Sequence, residues 1–155
     1  MKVEIEIDGR IPKALSLTRG TLASAAKYFA GRSARRCGLA FRRVVIIVQD
    51  DGASAEVHEA VMGVAGATDV ITQRYDAMPP EPEGVYGELY VNAERALSAA
   101  PKRPGWSPAK EFLLYVAHGM DHLSGADDHS PRDYALMRRR ELKWLHEMKS
   151  CQKNV

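Results

Sequence analysis

The segment HGMDHLSGADDH, residues 118–129, carries the side chains of this chain that are best suited to bind a metal ion. His118 and His122 are four residues apart in an apolar stretch that is typical of a helix. Four residues advance about 400° around a helix, so both imidazoles lie on one face. Zinc accepts neutral imidazole nitrogens in a tetrahedral shell. The pair therefore predicts a site for one Zn²⁺ per chain.

A third ligand must come from beyond this helix, because later positions on the same face lie too far along its axis. Gly125 can adopt the left-handed conformation that ends a helix and turns the chain back. Asp127, Asp128 and His129 follow, and each offers an atom that binds zinc. Three protein ligands would leave the fourth position to water, which is typical of a catalytic zinc site. The zinc-bound water is the predicted catalytic group, and no side chain is assigned as its base.

Clustered arginines are the second feature that bears on function. The net charge of +2 does not by itself require a nucleic-acid partner, so the argument depends on local clustering. Five arginines lie within twelve residues without an intervening acid: Arg32, Arg35, Arg36, Arg42 and Arg43. Phosphate contacts supply much of the affinity for RNA, so this cluster is the candidate RNA-binding surface, with a solvated surface as the equal alternative. A second run, residues 138–140 with Lys143, is interpreted as the solvated surface of the final helix.

The elements that must position these residues follow from hydrophobic periodicity. Strands are predicted over residues 2–8, 44–48, 68–72 and 86–92, and the continuous apolar run 44–48 predicts burial on both faces. Helices are predicted from Thr21, as the N-cap, to Gly31, and over residues 55–63, 93–100, 108–123 and 131–149. The segment QDDGAS, residues 49–54, is typical of a turn. This order predicts one α+β domain with a small mixed sheet over residues 1–155.

Length and composition restrict the class of protein. With 155 residues, 45% of them hydrophobic and 27% charged, the chain is expected to be globular, which excludes a disordered chain, a fibre or a coiled-coil rod. We expect no membrane span and no signal peptide, because no apolar run approaches about 18–20 residues and MKVEIEIDGR lacks an apolar core. Cys37 and Cys151 are too few for a disulfide framework, so a cytoplasmic location with free thiols is expected.

Three motifs, in the same order along the chain, resemble those of the YbeY family of bacterial endoribonucleases. Residues 118–125 resemble its HG-x-x-HL-x-G motif, TDVIT at 68–72 resembles its TDVLS/T strand, and GELYV at 87–91 resembles a second strand motif. The last helix matches the spacing of the family's last helix through Met137, Glu141 and Leu145. Gly119 stands where metzincin-like zinc peptidases carry a glutamate base, so the similarity to those enzymes ends there.

The resemblance implies a single-domain, zinc-dependent endoribonuclease that acts in rRNA maturation and ribosome quality control. It implies an α+β fold with a zincin-like metal-binding helix beneath a mixed sheet, and RNA, ribosomal RNA and the small ribosomal subunit as partners. By the same resemblance His118 and His122 become zinc ligands. The family's third ligand is a histidine at the position of Asp128. Asp128 keeps this register and is preferred, while His129 is the alternative that needs a one-residue bulge.

Other positions depart from the family or have no assigned role. Met62 stands where many members carry an arginine that helps to hold RNA, and His58, one helical turn earlier, is a candidate polar replacement or an exposed helix histidine. Asp121 stands at an apolar position of the family and is a candidate base or hydrogen-bond partner, with a solvent-facing position preferred. Glu141 lies near the apolar stripe of the last helix, where we expect it to satisfy a buried backbone or arginine group.

Two other functions remain open from the sequence. One is a zinc peptidase or amidohydrolase that shares the metal-binding helix, which Gly119 disfavours. The other is a non-catalytic, ribosome-associated RNA-binding module with a structural metal. Met62 and the altered third ligand favour this second alternative.

Overall fold

The computed structural model describes residues 2–152, with side chains described as far as Lys149. The elements are β1 (Glu4–Asp8), α1 (Arg19–Cys37), β2 (Phe41–Gln49), α2 (Asp51–Met62), β3 (Val70–Tyr75), β4 (Val85–Asn92), α3 (Ala93–Ala99), α4 (Pro108–Leu123) and α5 (Pro131–Gln152). Short 3-10 turns precede α1 (Lys13–Leu15) and follow α3 (Ala100–Lys102). Cys37 is a half-buried free thiol, whereas the side chain of Cys151 lies outside the described residues.

The four strands form one mixed sheet in the order β1-β2-β4-β3. β1 and β4 both pair in parallel with β2, and β3 pairs with β4 in the antiparallel sense. Parallel neighbours need crossover connections, which α1 provides between β1 and β2. The small mixed sheet of an α+β fold, as expected from the sequence, is confirmed.

The central strand β2 departs from the expectation of burial on both faces. Val44 and Ile46 are fully buried, but the alternate residues Val45 and Ile47 are only partly buried. Successive side chains in a strand point to opposite faces, and the second face of this sheet also carries Arg43 and Glu88. The prediction was wrong because an unbroken apolar run does not show how completely each face is covered.

Helix α1 is longer than predicted at both ends. Its N-cap is Thr18, whose side-chain oxygen accepts a hydrogen bond from the backbone N–H of Thr21 at 3.0 Å, so Thr21 is not the cap. The helix continues through Gly31, because Ala30 and Ser33 on either side are fully buried in the core. It ends at Gly38, whose φ of 73° is left-handed. The arginines of residues 32–36 therefore lie on a helix and not in a loop.

Two boundaries near α2 also differ from the predicted ones. Asp50 accepts from the backbone N–H of Ala53 at 2.8 Å, and this cap starts α2 at Asp51 inside the segment predicted as a turn. β3 starts two residues later than predicted, because Thr68 is held to Ser54 by two hydrogen bonds of 3.0 Å. Each helix in the described part of the chain is too short or too polar to span a lipid bilayer.

Helix α4 forms the centre of the core and packs closely against the sheet. Its residues Phe112, Val116 and Met120 are completely buried. A Cβ at Gly119 would lie 2.8 Å from Cδ2 of Leu89 on β4 and 3.3 Å from Cγ2 of Thr72 on β3. A side chain at position 119 would therefore meet the sheet. This close approach sets the distance between α4 and the two strands.

Candidate metal centre

The two histidines of α4 face one another at the C-terminal end of the helix. The Nε2 atoms of His118 and His122 are 3.0 Å apart, with their rings nearly perpendicular at 87°. His122 Nδ1 lies 3.1 Å from the carbonyl oxygen of Ala126, which can only accept, so this nitrogen carries a proton. His118 Nδ1 lies 2.9 Å from the Glu141 carboxylate. Both Nε2 lone pairs therefore point to the same place, an arrangement that favours a shared cation.

Asp128 supplies the third donor to this place. Its Oδ2 lies 3.5 Å from His118 Nε2 and 3.3 Å from His122 Nε2. Tetrahedral zinc with ligand distances of about 2.0–2.2 Å separates neighbouring donor atoms by about 3.3–3.6 Å. The three separations found here match this spacing to within a few tenths of an ångström. The donor set therefore fits one small divalent ion, as the sequence predicted for His118, His122 and Asp128.

The bend that brings Asp128 back begins at Gly125. Gly125 has a φ of 95°, and its N–H donates to the carbonyl of His122 at 2.9 Å. Few residues other than glycine adopt this conformation without strain. The same turn brings the Ala126 carbonyl oxygen to Nδ1 of His122. The bend therefore orients the His122 ring and also brings Asp128 to the donor group.

His129 lies outside the three-donor group. Its side chain is 91% exposed, and its Nε2 lies 3.4 Å from the carboxylate of Asp127. Asp127, Asp128 and His129 form a second, more exposed group of donor atoms at the rim. Among the described residues, the group of three donor atoms that lie close together contains Asp128 and not His129.

Glu141 holds His118 from the neighbouring helix α5, a role that the sequence analysis missed. The sequence predicted a buried backbone or arginine partner for Glu141, but its completely buried carboxylate contacts the His118 ring. Burial lowers the pKa of His118, but the hydrogen bond and charge of Glu141 outweigh burial and raise it above its ordinary value. Burial raises the pKa of the Glu141 carboxyl against the opposing effect of His118. The hydrogen bond from Nδ1 to the carboxylate orients the ring and directs Nε2 at the site.

An open pocket of about 520 Å³ surrounds the donors. Its far wall comes from α2 and the start of β3, with His58, Met62 and residues 68–72 among the lining side chains. His58 Nδ1 lies 2.8 Å from the carbonyl oxygen of Gly66, so it donates there and leaves Nε2 for the pocket. Met62 is 60% exposed at the rim. The pocket therefore joins the metal donors to the TDVIT segment that the sequence analysis singled out.

Asp121 is buried, which corrects the solvent-facing position preferred from the sequence. Its side chain is 0% exposed, and its carboxylate lies 2.7 Å from Arg140 and 3.4 Å from Arg36. Two guanidinium groups compensate the cost of burying this charge. Asp121 is not among the described residues that line the pocket, so it is not placed to act as a base there.

The five candidate RNA-binding arginines do not form one surface. Arg32, Arg35 and Arg36 lie together on α1, next to α5. Arg42 donates to the carbonyl oxygen of Glu83 at 2.7 Å, and Arg43 pairs with Glu6 on the neighbouring strand. The cluster is divided because Arg42 and Arg43 lie on β2, whereas the other three arginines lie on α1.

This chain is similar to known proteins over most of its length. A family model described as "Endoribonuclease YbeY" matches residues 13–149. A protein named Endoribonuclease YbeY from Rhodopirellula baltica is 47% identical over 77 residues, which cover 48% of this chain and 38% of that protein. Another protein of this name, from a Roseiflexus species, is 33% identical over 105 residues, which cover 63% of this chain and 65% of that protein. The chain thus aligns with less than two thirds of the length of these relatives.

A solved structure supports the fold. The solution structure of TM1509 from Thermotoga maritima superimposes with a TM-score of 0.60 over 97% of this chain and 92% of that one. The two chains are 22% identical, so this similarity concerns the arrangement of helices and strands alone.

Proposed function

The chain belongs to the YbeY family, and on this premise we propose that it is a zinc-dependent endoribonuclease that hydrolyses phosphodiester bonds in ribosomal RNA. The observation that carries the proposal is the convergence of His118 Nε2, His122 Nε2 and the Asp128 carboxylate at one open pocket. Endoribonuclease activity is the activity given in the names of the two relatives, and this chain matches each of them over part of its length. A role in rRNA maturation and ribosome quality control, action at the small ribosomal subunit and a cytoplasmic location belong to the same proposal.

The residues of this chain prepare the site for a metal ion. Glu141 and the Ala126 carbonyl fix both imidazoles with the proton on Nδ1, so each Nε2 presents a lone pair. When bound at these three donors, zinc supplies Lewis-acid and water-activating chemistry. Asp128 adds a negative charge that a third histidine would not, which lowers the net positive charge of the site. His58 Nε2, on the opposite wall, is placed to accept a hydrogen bond from a sugar hydroxyl of the substrate.

The peptidase alternative conflicts with the packing of Gly119. Zinc peptidases with a related motif carry a glutamate base next to the first histidine. At position 119 a Cβ already meets Leu89 and Thr72 at 3.3 Å or less, on the side of α4 that faces the sheet. A glutamate side chain at this position would therefore collide with the sheet. The module with a purely structural metal is disfavoured too, because three donors at an open pocket leave a position for another ligand.

Cleavage of RNA and of casein, each with and without chelator, tests the proposal. We expect the zinc-loaded protein to cleave structured ribosomal RNA, to lose this activity in EDTA and to regain it on addition of Zn²⁺. Casein is expected to stay intact. The His118→Ala variant, purified in the same way, controls for a contaminating nuclease. Cleavage of casein, or RNA cleavage that persists in EDTA, would contradict the proposal.

A further inference from the structure

A basic groove lies between α1 and α5, apart from the donor pocket. It has a volume of about 550 Å³, and the buried side chain of Trp144 lies in its wall. Six basic side chains line it: Arg32, Arg35, Arg36, Arg139, Arg140 and Lys143. The groove and the donor pocket share no lining residue.

The groove is much more positively charged than the chain as a whole. Among the described residues, the carboxylates that pair with its basic side chains are Asp121 and Glu147. Six cations and two carboxylates leave a formal surplus of four positive charges, twice the net charge of the whole chain. The rest of the chain is therefore net negative, and positive potential is concentrated in the groove.

The two carboxylates hold the basic side chains in place without filling the groove. Buried Asp121 binds Arg36 from α1 and Arg140 from α5, so the guanidinium groups at the two walls are fixed relative to each other. Glu147 pairs with Arg32 at 3.0 Å and lies 3.7 Å from Lys143. Guanidinium groups that are already ordered lose less entropy when they bind an anion. The exposed Arg35 and Arg139 stand on opposite walls and extend the charge outward.

The spacing of the charges suits an extended chain of anions. Arg32 and Arg36 on one wall, and Arg139 and Lys143 on the other, are each four residues apart, which is about 6 Å along a helix. The Trp144 side chain is only 3% exposed, so it offers no ring face for bases to stack on. The groove therefore offers charged contacts to a phosphate backbone, without an exposed ring of Trp144 beside them.

We propose that the basic groove binds the phosphate backbone of an RNA strand, as a second contact surface beside the donor pocket. This inference rests on the proposed function, which makes RNA the substrate of the neighbouring pocket. Helix α4 connects the two places, because Asp121 at the groove directly precedes His122 at the pocket. Arg36 also hydrogen-bonds to Ser124, two residues beyond His122. An RNA strand in the groove is thereby held next to the end of α4 that carries the donors.

The test compares charge reversal in the groove with an equal charge reversal elsewhere. The groove variant is Arg35→Glu with Arg139→Glu, and the control is Arg10→Glu with Lys13→Glu, at two exposed positions outside the groove. A third variant, Arg35→Lys with Arg139→Lys, keeps the charge. Binding of a fluorescein-labelled 24-nucleotide RNA is followed by fluorescence anisotropy over a range of salt concentrations. EDTA keeps the RNA intact, and circular dichroism checks the fold of each variant.

We expect the groove variant to bind RNA at least about tenfold more weakly, because two phosphate contacts become repulsive. For the groove variant, the slope of the log of the binding constant against the log of the salt concentration should fall in magnitude by about 1.4–1.8. The control and the lysine variant should bind like the unmodified chain.

The proposal is overturned if the groove variant binds RNA as tightly as the unmodified chain, or if the control variant loses as much affinity as the groove variant. Competition by poly-glutamate as strong as that by unlabelled RNA of the same charge also overturns it, in favour of an acidic protein. If the chain binds RNA through the groove but cleaves none, the proposed function fails and the groove assignment stands.

Discussion

Replacing His122 by alanine is expected to reduce RNA cleavage to the level of the chelated, unmodified chain. The substitution removes one of the two facing imidazoles, whose Nε2 atoms are 3.0 Å apart. A catalytic zinc site depends on three protein ligands, and His118 with Asp128 alone would leave two. The His122 side chain is 26% exposed at the end of α4, so its loss leaves no large cavity in the core. The melting temperature of the metal-free protein should therefore change by only a few degrees, by the usual size scaling.

The matched control for this variant is His129→Ala. It removes another imidazole seven residues later in the same segment, but one that is 91% exposed and outside the three-donor group. This variant should cleave RNA at the rate of the unmodified chain. Cleavage by His122→Ala at that rate would show that the histidine pair is not part of the catalytic site.

Removing the carboxylate of Glu141 is expected to weaken zinc binding by about 10–100-fold, the usual effect of losing a partner that orients a metal-binding histidine. Glu141 is completely buried and accepts from His118 Nδ1 at 2.9 Å. Its absence would leave that N–H without an acceptor and free the ring to turn. The measurement is the zinc dissociation constant of Glu141→Ala, obtained by competition with a chromogenic chelator.

Two further variants separate the hydrogen bond from its surroundings. Glu141→Gln keeps the volume and an acceptor oxygen, so its zinc affinity should lie between those of Glu141→Ala and the unmodified chain. Glu147→Ala removes a carboxylate from the same helix that contacts Arg32 and lies outside the donor pocket, and it should bind zinc normally. If Glu141→Ala binds zinc as tightly as Glu147→Ala does, the orienting role assigned to Glu141 is wrong.

Local patterns along the chain were enough to predict the core of the site. The four-residue spacing of His118 and His122, and the glycine after them, depend on helix geometry alone, and the structure brings these residues together with Asp128. The register after Gly125 was harder to predict, because Asp128 and His129 differ by one residue in a turn. Only the φ of 95° at Gly125 and the hydrogen bonds that follow it fix which side chain returns.

Contacts between helices could not be predicted from local patterns. Glu141 on α5 contacts His118 on α4, 23 residues away, and Asp121 on α4 contacts Arg140 on α5, 19 residues away. Hydrophobic periodicity shows which face of a helix is apolar, but it does not show which polar residues on two helices will meet. For the same reason the arginines of α1 and those of α5 were interpreted as separate runs, although the packing of the two helices makes them the walls of one groove.

The most direct test of the three-donor zinc site is the zinc content of the purified protein and of three alanine variants. It is measured by elemental analysis after equilibration with Zn²⁺ and removal of the excess. We expect one zinc ion per chain for the unmodified protein and for His129→Ala. We expect less than stoichiometric zinc for His118→Ala and for Asp128→Ala. Full zinc content in His118→Ala, or loss of zinc in His129→Ala while Asp128→Ala keeps it, would contradict the three-donor site.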